Sequence, residues 1–176
     1  HRIVQHLDKG VVSDLRTGMT VEVHGSLMGC EVGGYYLTEV FAKDVIKYID
    51  LGLPSGLLWA TCNVGANTPE EYGDYFAWGE TEVKSDYSKN TYTLGNIGND
   101  IAGTQYDVAH VKWGGSWRLP TKAQCEELVA NTTSEWVNDY EGTGVKGRRF
   151  TGKNGQSIFL PAAGYREGTS LINAGS

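Results

Sequence analysis

Cysteine is scarce in this chain, and its placement is as informative as its count. Three cysteines in 176 residues, Cys30, Cys62 and Cys125, form no CxxC pair. That excludes a zinc site of the usual ligand spacing and allows at most one internal disulfide, with one thiol left over. No apolar run approaches the roughly 20 residues of a membrane span. No basic run is present either: 15 Lys and Arg face 21 Asp and Glu, for a net charge of -6. A chain of that balance has nothing to follow a phosphate backbone, so nucleic acid is not an expected partner. GxSxG, HExxH and P-loop motifs are all missing, which removes the commonest hydrolytic and phosphate-binding designs. His1-Arg2-Ile3 opens without the charged-then-apolar pattern of a signal peptide, and a first residue other than Met reads as a mature, trimmed or partial chain. Repeats and low-complexity tracts do not occur.

What is abundant is glycine and aromatic residues. Twenty-four Gly, about twice the average share, accompany ten Tyr and five Trp. Such turn-rich, aromatic-rich chains suit surface-exposed β or α+β domains with short elements. Apolar content of 40% and charged content of 20% mark a globular chain. The length suits one medium domain, or one domain plus a fragment of another.

The composition shifts near residue 48. Residues 1–48 carry five basic and six acidic residues and no tryptophan. Thr20-Val-Glu-Val-His-Gly-Ser-Leu27 alternates apolar and polar positions, Gly33-Gly34 supplies a turn, and Tyr35-Tyr-Leu-Thr-Glu-Val40 a second strand, predicting a β-hairpin. Its phrasing loosely resembles the closing strands of small OB-like barrels in bacterial surface proteins, so 1–48 reads as a β-hairpin segment ending an upstream β module.

Residues 49–176 form the second domain. Pro54-Ser-Gly56 predicts a tight turn between two short strands. Thr68-Pro69-Glu70-Glu71 predicts a capped short helix ended by Gly73, and Tyr75-Phe-Ala-Trp78 a buried strand. Residues 81–106 show little periodicity, and a loop that long in a compact domain is usually functional or mobile. Asp107 is expected to cap a helix over Val108–Trp113, stopped by Gly114-Gly115. Thr121 and Gln124 form a capping box for a second helix, with Cys125, Leu128 and Val129 on its apolar face. Short strands with turns at Gly142, Gly144, Gly147, Gly152 and Gly155 follow, and Ser157-Ile-Phe-Leu-Pro161 is the last convincing strand.

Four phrases in this order, "DLGLPSGLLWATCNVGA" at 50–66, "PEEYGDYFAWGE" at 69–80, "WGGSWRLPTKAQCEEL" at 113–128 and "GQSIFLPAAGYREG" at 155–168, resemble the Fibrobacter succinogenes major paralogous domain. That family is similar in turn to the formylglycine-generating-enzyme-like branch of the C-type lectin fold. The resemblance implies an α+β, C-type-lectin-like domain of short antiparallel strands with two or three short helices, in a secreted or surface protein of Bacteroidetes or related bacteria. Family members carry an aromatic where Cys125 stands and often a Cys where Thr132 stands, which leaves a Cys62–Cys125 bridge as a pairing to test. They also continue beyond "GYREGTSLINAGS" with closing strands, so 49–176 reads as a domain lacking them.

The shared motif is structural in this reading. Trp113, Trp117 and Arg118 are all read as structural: Trp117 is expected to enter the core, Arg118 to satisfy buried carbonyls or a carboxylate, Pro120 to stop a strand and Thr121 to cap. Oxidase chemistry of the formylglycine-generating relatives depends on C-terminal cysteines, and none follows Cys125, so no enzymatic activity is expected. Asp107 and His110 share a helix face, which permits an acid–base pair but favours a surface ion pair. Glu70-Glu71 and Glu126-Glu127 are neighbours in sequence and do not form a glycosidase pair across a cleft.

Candidate ligand-binding residues lie in or beside the long loop: Asp86, Tyr87, Asn90, Tyr92 and Tyr106. Exposed aromatics beside amides suit sugar faces and protein partners alike, and the same tyrosines folded back as a local core are the alternative. Asn96, Asn99 and Asp100 are the only metal candidates, and two amides with one carboxylate fall short of a calcium cage. Trp136-Val-Asn138-Asp139 is a broken version of a lectin motif, out of its usual place. No cofactor is expected. The expected function is non-catalytic recognition of a glycan or protein ligand, or adhesion, at a bacterial surface. The alternatives are a structural or assembly module, or a retroelement-diversified ligand-binding protein.

Overall fold

A computed structural model describes residues 2–5, 20–23, 30–32, 35–37 and 46–176. The chain divides into two compact units, His1–Val45 and Ile46–Ser176. In the first, β1 (Arg2–Gln5) and β2 (Thr20–Val23) pair in parallel, and β3 (Cys30–Val32) pairs antiparallel with β4 (Tyr35–Leu37). The hairpin expected between Thr20–Leu27 and Tyr35–Val40 is therefore corrected. Val32 pairs with Tyr35, so the two residues Gly33-Gly34 join immediately adjacent strands, and a two-residue connection selects the nearest strand as partner. Residues 24–27, 33–34 and 38–40 of the expected hairpin lie outside the described residues.

The second unit opens on an antiparallel pair, β5 (Tyr48–Asp50) and β6 (Leu58–Ala60), with Tyr48 inside β5 and so on this side of the division. The turn at Pro54-Ser-Gly56 closes as expected, Gly56 N–H donating to Leu53 C=O at 2.9 Å. Between these strands Leu51 and Leu53 are buried. They form the core with Leu128, Phe150 and Ile158, with Ile49 and Trp59 packed against it.

After an irregular stretch, α1 (Val108–Trp113) and α2 (Lys122–Asn131) appear where the caps place them. Thr121 and Gln124 complete a reciprocal capping box. The expected apolar face of α2 is narrower than its sequence suggests: Leu128 is buried, but Val129 is 61% exposed and Cys125 is exposed. At this length one buried leucine anchors the helix, while its capping box supplies the fixed start.

From α2 the chain runs directly into β7 (Thr132–Val137), then β8 (Gly147–Gly152) and β9 (Ser157–Pro161), an antiparallel sheet in chain order. The register sets Ser134, Phe150 and Ile158 in one row. Two residues along, on the same face, Trp136, Arg148 and Leu160 form the next row. The first row enters the core through Phe150 and Ile158, whereas Trp136 and Leu160 are exposed. On the other face Tyr140 stacks on Phe159 at 4.0 Å between centroids. Gly147 and Gly152, expected in turns, are instead the two ends of β8. Gly152 is required by close approach, since a Cβ there would meet the Leu51 carbonyl. A further hairpin, β10 (Tyr165–Glu167) and β11 (Ser170–Ile172), follows.

Two expected elements are absent from the second unit. Thr68–Glu71 forms a single turn rather than a helix, with Glu71 N–H on Thr68 C=O at 3.2 Å. Glu71 does not complete a capping box, because its carboxylate accepts from Asn67 N–H at 2.7 Å. Tyr75–Trp78 is irregular and not a buried strand, with Trp78 at 48% exposure. The described residues are thus an α+β arrangement of small, mostly antiparallel sheets with two helices. No helix among them is long and apolar enough to cross a membrane.

Candidate functional site

Segment 74–107 has almost no regular structure, one 3-10 turn at Lys89–Thr91 apart, so its backbone must find other partners. Side chains supply them. Glu80 N–H donates to Ala77 C=O at 2.9 Å, closing a tight turn over Trp78-Gly79. Gly79 is buried with φ of 78°, and a Cβ there would strike Ile97, so this turn needs glycine. The turn projects the Trp78 indole outward, and its Nε1–H donates to Gly98 C=O at 3.0 Å. Tyr92 Oη–H donates to Trp78 C=O at 2.9 Å, fixing the same residue from its backbone side.

Around Trp78 lies a shallow concavity of about 260 Å³, lined by Phe76, Ala77, Trp78, Gly79, Glu80, Tyr106, Val108 and Leu119. Its walls are chiefly aromatic and aliphatic. Glu80 is engaged, both carboxylate oxygens accepting from Lys84 Nζ at 2.9 and 2.8 Å. Lys112 Nζ stands 5.8 Å over the Phe76 ring and pairs with Glu82 at 3.3 Å.

Of the residues expected to bind ligand, only Tyr106 lines this concavity. Tyr87 is half-buried: its hydroxyl donates to Tyr75 C=O and accepts from Lys84 N–H, and its own N–H donates to Gly168 C=O at 2.7 Å. Tyr92 is likewise folded back, and Lys84 Nζ lies 5.6 and 5.8 Å over the Tyr87 and Tyr92 rings. Asp86 closes the turn that precedes the 3-10 turn, accepting from Ser88 N–H at 2.8 Å. Asn90 is exposed within that turn. These side chains organise the segment instead of forming one platform, and their hydroxyl and carboxylate groups are occupied by its backbone.

Asn96 and Asp100 hold turns, Asn96 Oδ1 accepting from Gly98 N–H and Asp100 Oδ1 from Ala102 N–H, at 3.0 and 3.1 Å. Asn99 is exposed. Among the described residues no three His, Cys, Asp or Glu side chains gather as metal ligands.

Asp107 does more than cap. It is fully buried, and its Oδ1 accepts from Ala109 and His110 N–H while Oδ2 accepts from Gly103 and Leu119 N–H. One carboxylate thus ties the end of the long segment, the start of α1 and the Leu119 strap together. Both readings of Asp107 with His110 are corrected: the carboxylate meets the His110 backbone, and the imidazole Nδ1 lies 3.2 Å from Trp117 C=O. Arg118 is also corrected. It is exposed and, among the described residues, reaches only Ser116 C=O at 3.4 Å, because the buried carboxylate is already filled by backbone amides. Trp113 and Trp117 meet edge-to-face at 5.3 Å, both half-buried. Pro120 is exposed and ends no strand, while Thr121 caps α2.

Cys62 and Cys125 are free thiols, so the Cys62–Cys125 bridge is not formed. Cys62 Sγ–H points at Ala66 C=O, 3.2 Å away, and burial pushes its pKa up. The acidic pairs are dispersed: Glu127 holds Ser55 through its N–H and hydroxyl at 2.8 and 2.7 Å, and Glu126 pairs with Lys122 on the surface. Trp136 and Asn138 bond to each other, Nε1–H to Oδ1 at 3.1 Å, while Asp139 accepts from Gly144 N–H at 2.7 Å.

Trp78 and Phe76 are the residues that sequence reasoning missed, being read as a buried strand. The signal was Gly79, which follows the aromatic run at once and turns the chain. Comparison with protein-family models, with curated proteins and with solved structures finds no match for this chain.

Proposed function

We propose that the second unit is a non-catalytic, C-type-lectin-like recognition module of a secreted or surface-displayed bacterial protein, taking a glycan or protein ligand without a cofactor. The family resemblance of 50–168 supports the fold and setting. The observation that carries the recognition role is Trp78: a large ring, half-exposed, fixed by hydrogen bonds from both its indole and its carbonyl, on the wall of a concavity. A ring held in place before binding loses little freedom on contact, which is how rigid aromatic anchors gain affinity.

The test is binding of the full chain to arrayed glycans and surface proteins, with calcium and with EDTA, beside Trp78→Ala. Signal that survives EDTA and falls at least about tenfold with Trp78→Ala is expected, the loss of one aromatic anchor being worth 1.4 kcal/mol or more. Signal indifferent to Trp78→Ala removes this site from the proposal. A structural or assembly role is the second reading. It is favoured by Trp136 and Leu160, which lie exposed in one row of the sheet on either side of Arg148.

A further inference from the structure

The chemistry of the Trp78 concavity narrows the ligand class. Three polar side chains line it: Trp78, Glu80 and Tyr106. The Trp78 Nε1–H is spent on Gly98 C=O, and both Glu80 oxygens already face Lys84, which balances their charge. That leaves the Tyr106 hydroxyl as the one polar side-chain group of the lining without a partner among the described residues.

A pyranose ring carries several hydroxyls, and each one pressed against this chiefly apolar wall loses hydration with few replacement partners. The wall thus penalises a sugar and favours a group with no hydrogen-bonding needs. Charge matching adds a separate constraint. The local carboxylates and ammonium groups are already paired, Glu80 with Lys84 and Glu82 with Lys112, so an uncharged occupant complements the site. Lys112, 5.8 Å over the Phe76 ring, already holds the cation position that a lysine or quaternary amine would seek. Size agrees: about 260 Å³ lies below the roughly 300–1,000 Å³ typical of small-molecule sites.

We infer that this concavity receives one uncharged apolar side chain, aromatic or large aliphatic, projected from a protein partner. The inference rests on the reading of Trp78 as part of a ligand site and selects protein over glycan.

The test is a titration of the ¹⁵N-labelled full chain, following the Trp78 Nε1–H and Gly79 N–H resonances. The probes are N-acetyl-tryptophanamide, N-acetyl-leucinamide, N-acetyl-lysinamide and methyl glycosides of glucose, galactose and mannose. Saturable shifts with the tryptophan and leucine amides are expected, with the lysine amide and the glycosides silent at the same concentrations. Trp78→Ala, and independently Ala77→Leu, which fills the space, should each weaken binding at least about tenfold while resonances far from the site stay in place. Shifts from a glycoside or the lysine amide, with the tryptophan amide silent, would overturn the ligand class and leave the ligand site standing. Silence from every probe would overturn both. Tryptophan-amide affinity unchanged in both variants would place binding elsewhere and overturn the inference.

Discussion

Between Thr121 and Pro161 the backbone of the second unit bonds chiefly to itself, through α2 and the ladders of β7, β8 and β9. Between Thr61 and Asp107 it bonds largely to side chains: Asn63, Glu71, Tyr87, Asp86, Tyr92, Trp78 and Asp107 each hold a carbonyl or an amide. The two regions consequently fail in different ways. In the regular region a substitution costs packing and leaves the hydrogen-bond ladder intact. In the irregular region a single side chain is the local architecture, and its loss leaves backbone groups unsatisfied.

Asp107→Ala tests this most severely. Four amide bonds to one buried carboxylate are lost, and at roughly 1.5–3 kcal/mol for each such bond a destabilisation of about 5 kcal/mol or more is expected in chemical denaturation. A loss below about 2 kcal/mol would mean that water replaces the carboxylate and that the contrast between the regions is false.

Leu128→Ala is the matching change in the regular region. It removes the buried residue of α2 and should cost about 2–5 kcal/mol through the cavity left behind. Hydrogen-exchange protection of β7–β9 should fall uniformly with global stability, and selective exposure of β7 alone would contradict a shared core.

The smallest effect is alkaline. Burial raises the pKa of Tyr75 and of Tyr140 above the ordinary value of 10.0, against the opposing pull of Arg166 and Arg149 respectively. Tyr75 also donates its proton to Ala163 C=O at 2.6 Å, a bond that the phenolate cannot make. Both groups hold protons more tightly folded than unfolded, so their stabilisation is complete below about pH 10 and is lost as pH rises through the folded values. Unfolding midpoints should fall above about pH 10, less steeply in Tyr75→Phe and in Tyr140→Phe. An unchanged slope in Tyr75→Phe would remove that hydroxyl from the account.

The same division explains what was legible in the sequence. Asp107 and the Thr121–Gln124 box were readable because a cap meets amides two or three residues away. Strand β9 was readable from its apolar Ile158-Phe-Leu160 run, and the Pro54-Ser-Gly56 turn from its residues. Tyr87 and Tyr92 were visible as aromatics in the right loop, but their hydroxyl partners lie 12 and 14 residues upstream, where no local pattern points. Trp78 was misjudged for the same reason: its exposure depends on Gly98, 20 residues on, holding the indole away from the core. Glu71 looked like a capping residue until Asn67, not Thr68, proved to be its partner. Short-range physics was therefore written plainly, and the tertiary side-chain bonds that build the site were not.

The hairpin that opens the second unit has its partners at the other end of the chain. Asn154 Nδ2–H donates to Asp50 C=O across 104 residues, Ser55 meets Glu127 across 72, and Leu51 lies against Gly152. A ribosome adds residues in order, so this hairpin emerges with nothing to close on until β8 has followed it. Contacts of such sequence separation make for slow folding, and the second unit, threaded through a pore in chain order, would stay open until β8 had passed.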